Sequence, residues 1–235
     1  MEPLDRTSGF PGSVATAERV TAFLRSVYGW MCAGLAITAV VAYTIAGSPA
    51  LAGALAANHL LFLVLFLAQL GVVFFLSARV DRLAPGTATL LFVLYSALTG
   101  ITFSVILLAY TGASIASTFV VTAGMFGALA VYGTTTSRSL AGVGQFVFMG
   151  LIGLVLASVV GMFWRNAALE FLISIVGVIV FTGLTAWDAQ RLRQMATSLP
   201  DNQLGSYAIL GALSLYLNFI NLFLFLLRFM GGRRD

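Results

Sequence analysis

Long apolar segments separated by short polar breaks dominate this chain. Seven of them have about 20 residues or more, the length at which an α-helix crosses the hydrocarbon core of a bilayer. They cover residues 27–46, 57–78, 86–110, 113–133, 140–162, 168–190 and 206–230. The breaks carry glycine, proline and polar residues, which end helices. The pattern predicts an all-α integral membrane protein with seven transmembrane helices.

Composition supports this class. The chain is 60% hydrophobic and 9% charged, with a mean hydropathy of +1.02, whereas a soluble domain is about 45–50% apolar and about 25% charged. A water-soluble globule is therefore excluded. We expect a polar N-terminal tail over residues 1–24, one seven-helix transmembrane domain over 25–231, and a short basic C-terminal tail over 232–235.

Several kinds of chemistry lack the residues they need. All 12 basic residues are arginine, so no lysine is present to hold retinal as a Schiff base. Cys32 is the only cysteine and His59 the only histidine, which leaves no disulfide framework and no Cys/His metal site. No nucleophile–base pair can be assembled, so we expect neither an enzyme nor a cofactor. Topology explains the net charge of +4 better than nucleic-acid binding does.

The arginines predict the orientation. A cytoplasmic N-terminus places on the cytoplasmic side Arg6, Arg19, Arg25, Arg79, Arg82, Arg138, Arg191 and Arg193. Only Arg165 of the internal loops then falls outside, as the positive-inside rule requires. The C-terminal Arg228, Arg233 and Arg234 fit less well. The seventh segment either crosses despite them or turns back within the protein.

Small and polar residues mark helix faces that contact other helices. Gly153, Ala157 and Gly161 form a row in the fifth span that would let another helix approach closely. A polar stripe on one face of the last span recurs at helical spacing: Tyr207, Gly211, Ser214, Asn218 and Asn221. Such a stripe is costly against lipid, so it predicts a central or semi-central seventh helix. Asn218 and Asn221 serve either interhelical hydrogen bonding or function.

Asp188 is the candidate functional residue. A carboxylate within an apolar span costs roughly 2.5–3.5 kcal/mol at a helix centre and usually marks function. Alternating helix directions bring it to the same side as Arg79, Arg82 and Arg191. Two interpretations are open: an ion pair with Arg191 or Arg79 that anchors a helix end, or a titratable or cation-binding gate.

Three stretches carry a resemblance to a known family. They are GALSLYLNFINLFLFLLRFMG at 211–231, Ala-Trp-Asp-Ala-Gln at 186–190 and FFLSARVDR at 74–82. The chain resembles the transmembrane Bax inhibitor motif family, in its bacterial branch, from Val27 to Arg234. The resemblance implies six helices surrounding the seventh and a pH-sensitive calcium leak across the membrane.

The resemblance also implies roles for particular residues. In the family, an aspartate on the sixth helix and another on the seventh share a proton near the cytoplasmic mouth. An arginine at the end of the second helix competes for them and latches the pore. Asp188 matches the first aspartate and would contact calcium transiently. Arg79, or less closely Arg82, matches the arginine.

The second aspartate of that pattern is replaced here by Asn218. Two close carboxylates cannot both ionise cheaply, so such a pair takes up a proton and senses pH. An amide beside Asp188 removes this repulsion and favours the ionised carboxylate. Some relatives also carry an acidic residue in the second helix, where this chain has Gln69. We therefore expect altered or weakened pH sensing.

The resulting expectation is a calcium leak channel or calcium homeostasis protein in the bacterial inner membrane, with the bilayer and calcium ions as its partners. The alternative is a membrane interaction protein that modulates a membrane protease or stress responses without conducting ions. A secondary transporter lacks the expected inverted repeats.

Overall fold

The computed structural model describes residues 11–164 and 166–232. Its helices are α1 (Pro11–Ala46), α2 (Pro49–Ala57), α3 (His59–Arg79), α4 (Pro85–Ala109), α5 (Gly112–Thr135), α6 (Ala141–Phe163), α7 (Ala167–Ser198) and α8 (Leu204–Met230), and a 3-10 turn covers Val80–Arg82. Within these residues no strand is present. Every helix except α2 is long and apolar enough to span a membrane. The predicted all-α fold with seven spans is confirmed.

The helices differ from the predicted segments in three places. Helix α1 begins at Pro11, so the described part of the predicted polar tail, residues 11–24, is helical and continuous with the first span. Helix α7 continues to Ser198, well past the predicted end at residue 190. The nine-residue helix α2 was not anticipated, because it is too short to span. Residues 1–10, Arg165 and most of the predicted C-terminal tail, 233–235, lie outside the described residues.

Helix α8 is the most buried span. In its most apolar stretch 67% of the residues are buried, against at most 33% in any other span. It packs against α1, α4, α5 and α7, whereas α3 packs mainly against α4, and α6 against α7. The predicted burial of the polar-striped last helix is therefore observed. A ring of all six other spans around it stays a prediction.

The two ends of α8 lie at opposite ends of α4. Near its start, the Ser206 hydroxyl donates to the Leu83 carbonyl, just before α4, at 2.7 Å. Past its end, the Gly232 N–H donates to Ser114 Oγ at 2.9 Å and the Gly232 carbonyl accepts from Thr111 N at 3.2 Å, just after α4. Because α4 is itself a span, α8 crosses the membrane rather than turning back.

Glycines set the closest helix contacts. A Cβ atom at Gly133 of α5 would overlap the Ala186 carbonyl oxygen of α7, and one at Gly144 of α6 would overlap the Trp187 ring. By contrast, a Cβ at Gly153 would meet nothing within 4 Å. Of the predicted small-residue row in the fifth span, Gly161 lies in ordinary contact with Ile173 and Leu169 of α7 and Ala157 packs against the buried cluster that contains Ile173, so only Gly153 fails to meet a neighbouring helix.

Gly133→Ala is expected to destabilise the protein by about 1–3 kcal/mol, because the added methyl group must push α5 away from the backbone of α7. Gly127→Ala is the matched control on the same helix, since a Cβ there meets nothing within 4 Å. Alanine in place of glycine favours an exposed helix by up to about 1 kcal/mol. Unfolding in mixed detergent micelles measures both. Equal stability of the two variants would contradict the close contact.

Candidate functional site

Asp188 lies on the buried face of α7, where it is 7% exposed. Its carboxylate oxygen Oδ2 accepts two hydrogen bonds from α8, one from Ser214 Oγ at 2.9 Å and one from Asn218 Nδ2 at 2.7 Å. Ser214 and Asn218 are one helical turn apart, so both side chains point to the same side of α8. The structure thus joins three of the predicted site residues.

Close approach of α7 and α8 makes these contacts possible. A Cβ atom at Gly211, one turn before Ser214, would overlap the Leu192 side chain of α7. The α7 face that packs inward includes Leu184, Asp188 and Leu192, which recur every four residues as one helix face requires. Asp188 therefore takes a position that would otherwise suit an apolar core residue.

A cavity of about 280 Å³ opens beside Asp188 between α3, α7 and α8. Its polar lining comes from Ser77 of α3, from Asp188 and Arg191 of α7, and from Ser214 of α8. Apolar side chains such as Val73, Leu210 and Leu217 form the remaining wall. The site is a small cavity with one carboxylate, one guanidinium group and two hydroxyl groups.

The predicted arginine latch is not formed. Within the described part of the chain, no cationic group lies within salt-bridge distance of Asp188. The ion pair that these residues do form joins Arg19 and Asp201, whose charged atoms are 3.1 Å apart. The Arg79 guanidinium lies 6.0 Å from the centre of the Phe75 ring, and neither Arg79 nor Arg82 lines the cavity. Their gating roles stay predictions.

Arg191 is the arginine that shares the cavity with Asp188. It follows Asp188 by three residues on α7, and its guanidinium lies 5.7 Å from the centre of the Trp187 ring. This spacing was visible in the sequence, which offered Arg191 as one of two candidate partners for an ion pair. The cation–π contact holds the guanidinium beside the ring, while Asp188 is bound by neutral donors.

Other residues of the polar stripe serve different contacts. Asn221 donates to the Leu217 carbonyl in its own helix at 2.8 Å, and the Tyr207 hydroxyl donates to Asp81 in the 3-10 turn at 2.6 Å. The sequence placed Asn221 on the same face as Asn218, but its amide bonds within α8. Ser214 and Asn218 of the stripe therefore belong to the site, whereas Tyr207 ties α8 to the 3-10 turn and Asn221 bonds within α8.

Polar contacts that the sequence did not reveal gather at one end of the bundle. The Arg19 guanidinium bonds the Leu199 carbonyl as well as Asp201. Gln190 of α7 donates to the Arg138 carbonyl at 2.8 Å and accepts from Leu140 N at 2.8 Å. These partners are at least 50 residues apart, so no local pattern could have indicated them. They bring the start of α1 and the α5–α6 and α7–α8 turns to one face.

The site does not form a metal cage. Within residues 11–164 and 166–232, no group of three or more His, Cys, Asp and Glu side chains could hold an ion. Calcium prefers six to eight oxygen ligands with carboxylates among them, and here one carboxylate is present. The arrangement suits a brief contact with a passing, still hydrated cation better than stable binding.

Comparison with known proteins identifies the family. The model of the family described as "Inhibitor of apoptosis-promoting Bax1" (Bax1-I) matches residues 20–235. The inner membrane protein YbhL of Escherichia coli K12 is 52% identical over 215 residues, which cover 90% of this chain and 92% of YbhL. An uncharacterized protein of Deinococcus radiodurans is 46% identical over 221 residues, 94% of each chain. The chain is therefore a member of the Bax inhibitor-1-like family of integral membrane proteins.

Proposed function

We propose that this protein is a cation leak or homeostasis protein of the bacterial inner membrane that passes calcium beside Asp188. One observation carries the proposal: the carboxylate of Asp188 is buried, faces a cavity between the spanning helices, and forms no ion pair with any cationic group of the described residues. Ionisable groups inside a membrane usually mark ion or substrate paths. The similarity to YbhL, which is named an inner membrane protein, supports this location. The arginine distribution favours a cytoplasmic N-terminus.

The hydrogen bonds around Asp188 support a role in attracting cations. Ser214 and Asn218 donate to one carboxylate oxygen, Oδ2, which favours the charged form. Among the groups that line the cavity, Arg191 is the other charged one. Ser77 and Ser214 add hydroxyl oxygens that can replace part of the hydration shell of an ion. The site would thus raise the local concentration of a cation without binding it tightly.

Asn218 makes the proposed leak differ from the pattern of the family. With an amide in place of the second carboxylate, no pair of acids shares a proton at this site. Between about pH 6 and about pH 8, the flux of the wild-type protein is therefore expected to depend less on pH than the flux of a protein with two carboxylates at this site. The Asn218→Asp variant restores a second carboxylate at the position of a present 2.7 Å contact with Asp188.

Calcium flux into proteoliposomes that contain a calcium indicator tests the proposal. The wild-type protein should exceed empty vesicles at all pH values. The Asn218→Asp variant should show a flux that rises with pH as the second carboxylate ionises, by up to about tenfold per pH unit for one proton. Asn221→Asp is the matched control, because Asn221 bonds within its own helix, and its flux should depend on pH no more than that of the wild-type protein.

Each outcome decides between the two functions. If neither the wild-type protein nor Asn218→Asp passes calcium above empty vesicles, the leak proposal fails. A role as an interaction protein for a membrane protease or a stress response would then be favoured. If both Asn218→Asp and Asn221→Asp respond to pH alike, the contact between Asp188 and residue 218 is not the sensor.

A further inference from the structure

A second cavity lies away from Asp188, between α1, α4, α5 and α8. Its volume is about 520 Å³, and its lining is almost entirely apolar. The few polar side chains include Thr38, whose hydroxyl donates to the Ser96 carbonyl at 2.9 Å, and Thr44, whose hydroxyl donates to the Val40 carbonyl at 2.8 Å. Apolar cavities without free hydrogen-bonding groups stay dry, so water is a poor occupant.

This cavity continues towards one end of the helices. A smaller cavity of about 320 Å³ shares Tyr43, Leu107 and Ile115 with it and reaches Gly47 and Gly112, beside the α1–α2 and α4–α5 turns. From Leu35 to Gly47 the groove follows α1 for about 18 Å at 1.5 Å per residue. One leaflet of the hydrocarbon core is about 15 Å thick. The joined cavities therefore have the depth of one leaflet.

The groove opens sideways onto the surface that faces lipid. Val40, Tyr43 and Phe119 form its rim and are 65%, 79% and 47% exposed, whereas Phe219 and Phe223 of α8 lie behind them and are 3% and 6% exposed. Because the rim is continuous with the exposed apolar faces of α1 and α5, the medium at the opening is the bilayer itself.

We propose that an acyl chain of a bilayer phospholipid occupies this groove, with its glycerol end near Tyr43 and Gly47 and its tail against Phe223. An empty void forfeits dispersion contacts on one side of every lining atom, and an acyl chain restores them without burying a polar group. The site is separate from Asp188, and its occupancy does not require ion conduction.

Photolabelling in vesicles tests the site. The full chain is reconstituted in phosphatidylethanolamine and phosphatidylglycerol with a trace of phospholipid that carries a diazirine near the end of one acyl chain. After illumination, peptide mass spectrometry should find the label at residues 219–223, although these side chains are nearly buried. Exposed Phe146 of α6, at 74% exposure, serves as the internal standard for lipid contact.

Two variants should abolish the label at 219–223 and leave the label at Phe146 unchanged. Ala39→Phe fills the larger cavity from α1, and Leu107→Trp narrows the passage shared by the two cavities. Ala128→Phe on the exposed face of α5 is the control and should label like the wild-type protein. Size-exclusion elution and melting temperature verify that each variant is folded.

Two results would overturn the proposal. One is the absence of label at 219–223 in the wild-type protein while Phe146 is labelled, as expected if a second copy of the chain filled the groove. The other is persistence of the label at 219–223 in both folded cavity-blocking variants, which would place the chain end elsewhere.

Discussion

Asp188→Asn is expected to lower calcium flux by about tenfold or more. The change removes the carboxylate charge from the cavity but keeps an oxygen that can accept from Ser214 and Asn218. A unit charge about 4 Å from a cation contributes up to about 4 kcal/mol at an effective dielectric constant of about 20. Loss of part of that attraction is enough for a tenfold effect. Flux into calcium-indicator proteoliposomes measures it.

Comparison of Asp188→Ala with Asp188→Asn separates the effect of the charge from the effect of the hydrogen bonds. It should lower flux as much as Asp188→Asn, and it should also destabilise the fold by about 1–3 kcal/mol because it leaves the Ser214 and Asn218 donors unsatisfied. Asp201→Asn is the matched control, since Asp201 is an exposed carboxylate paired with Arg19. A flux unchanged in both Asp188 variants, or lowered equally in Asp201→Asn, would argue against Asp188 as the cation site.

Tyr216→Ala is expected to give the largest loss of stability, about 3 kcal/mol or more, as for other large-to-small aromatic substitutions in cores. The Tyr216 side chain is fully buried, at 0% exposure. Its ring meets Phe92 and Tyr95 edge-on, with both pairs of ring centres 5.8 Å apart. Its hydroxyl lies 2.6 Å from Thr38 Oγ1 of α1. Removal would leave a cavity where α1, α4 and α8 meet.

Tyr216→Phe isolates the hydroxyl group. It should cost only about 1 kcal/mol, since hydrogen bonds between membrane helices average about 0.6 kcal/mol. Tyr132→Ala, at a ring that is 49% exposed on α5, should change stability little. Equilibrium unfolding in mixed micelles compares the three variants. A Tyr216→Ala loss no larger than that of Tyr132→Ala would show that this cluster does not hold the bundle together.

Most of the fold follows from local pattern. The ends of α3, α4, α5, α6 and α8 lie within two residues of the segments predicted from hydropathy. The first turns of α1 could not be predicted, because their sequence is polar. Arg19 in that region contacts Leu199 and Asp201, and those contacts depend on the positions of α7 and α8.

The candidate site, like the fold, could be predicted only in part from the sequence. The polar stripe and the aspartate were visible in the sequence, and Ser214 and Asn218 do meet Asp188. The sequence did not show which arginine would lie beside Asp188. Arg79 at the end of α3 lies over Phe75 of the same helix, and Arg191 shares the cavity with Asp188 instead.

The sequence by itself determined the class of protein, the number of spans and the residue to examine first, because bilayer thickness sets the length of a helix and lipid penalises a buried charge. Only the tertiary structure decided which helices touch, which groups surround Asp188 and where cavities remain. Lipid tails are as apolar as leucine, so hydropathy gives membrane helices no preferred neighbour. Steric fit selects the neighbour instead: because Gly133 has no Cβ atom, the backbone of α7 at Ala186 can lie directly against α5.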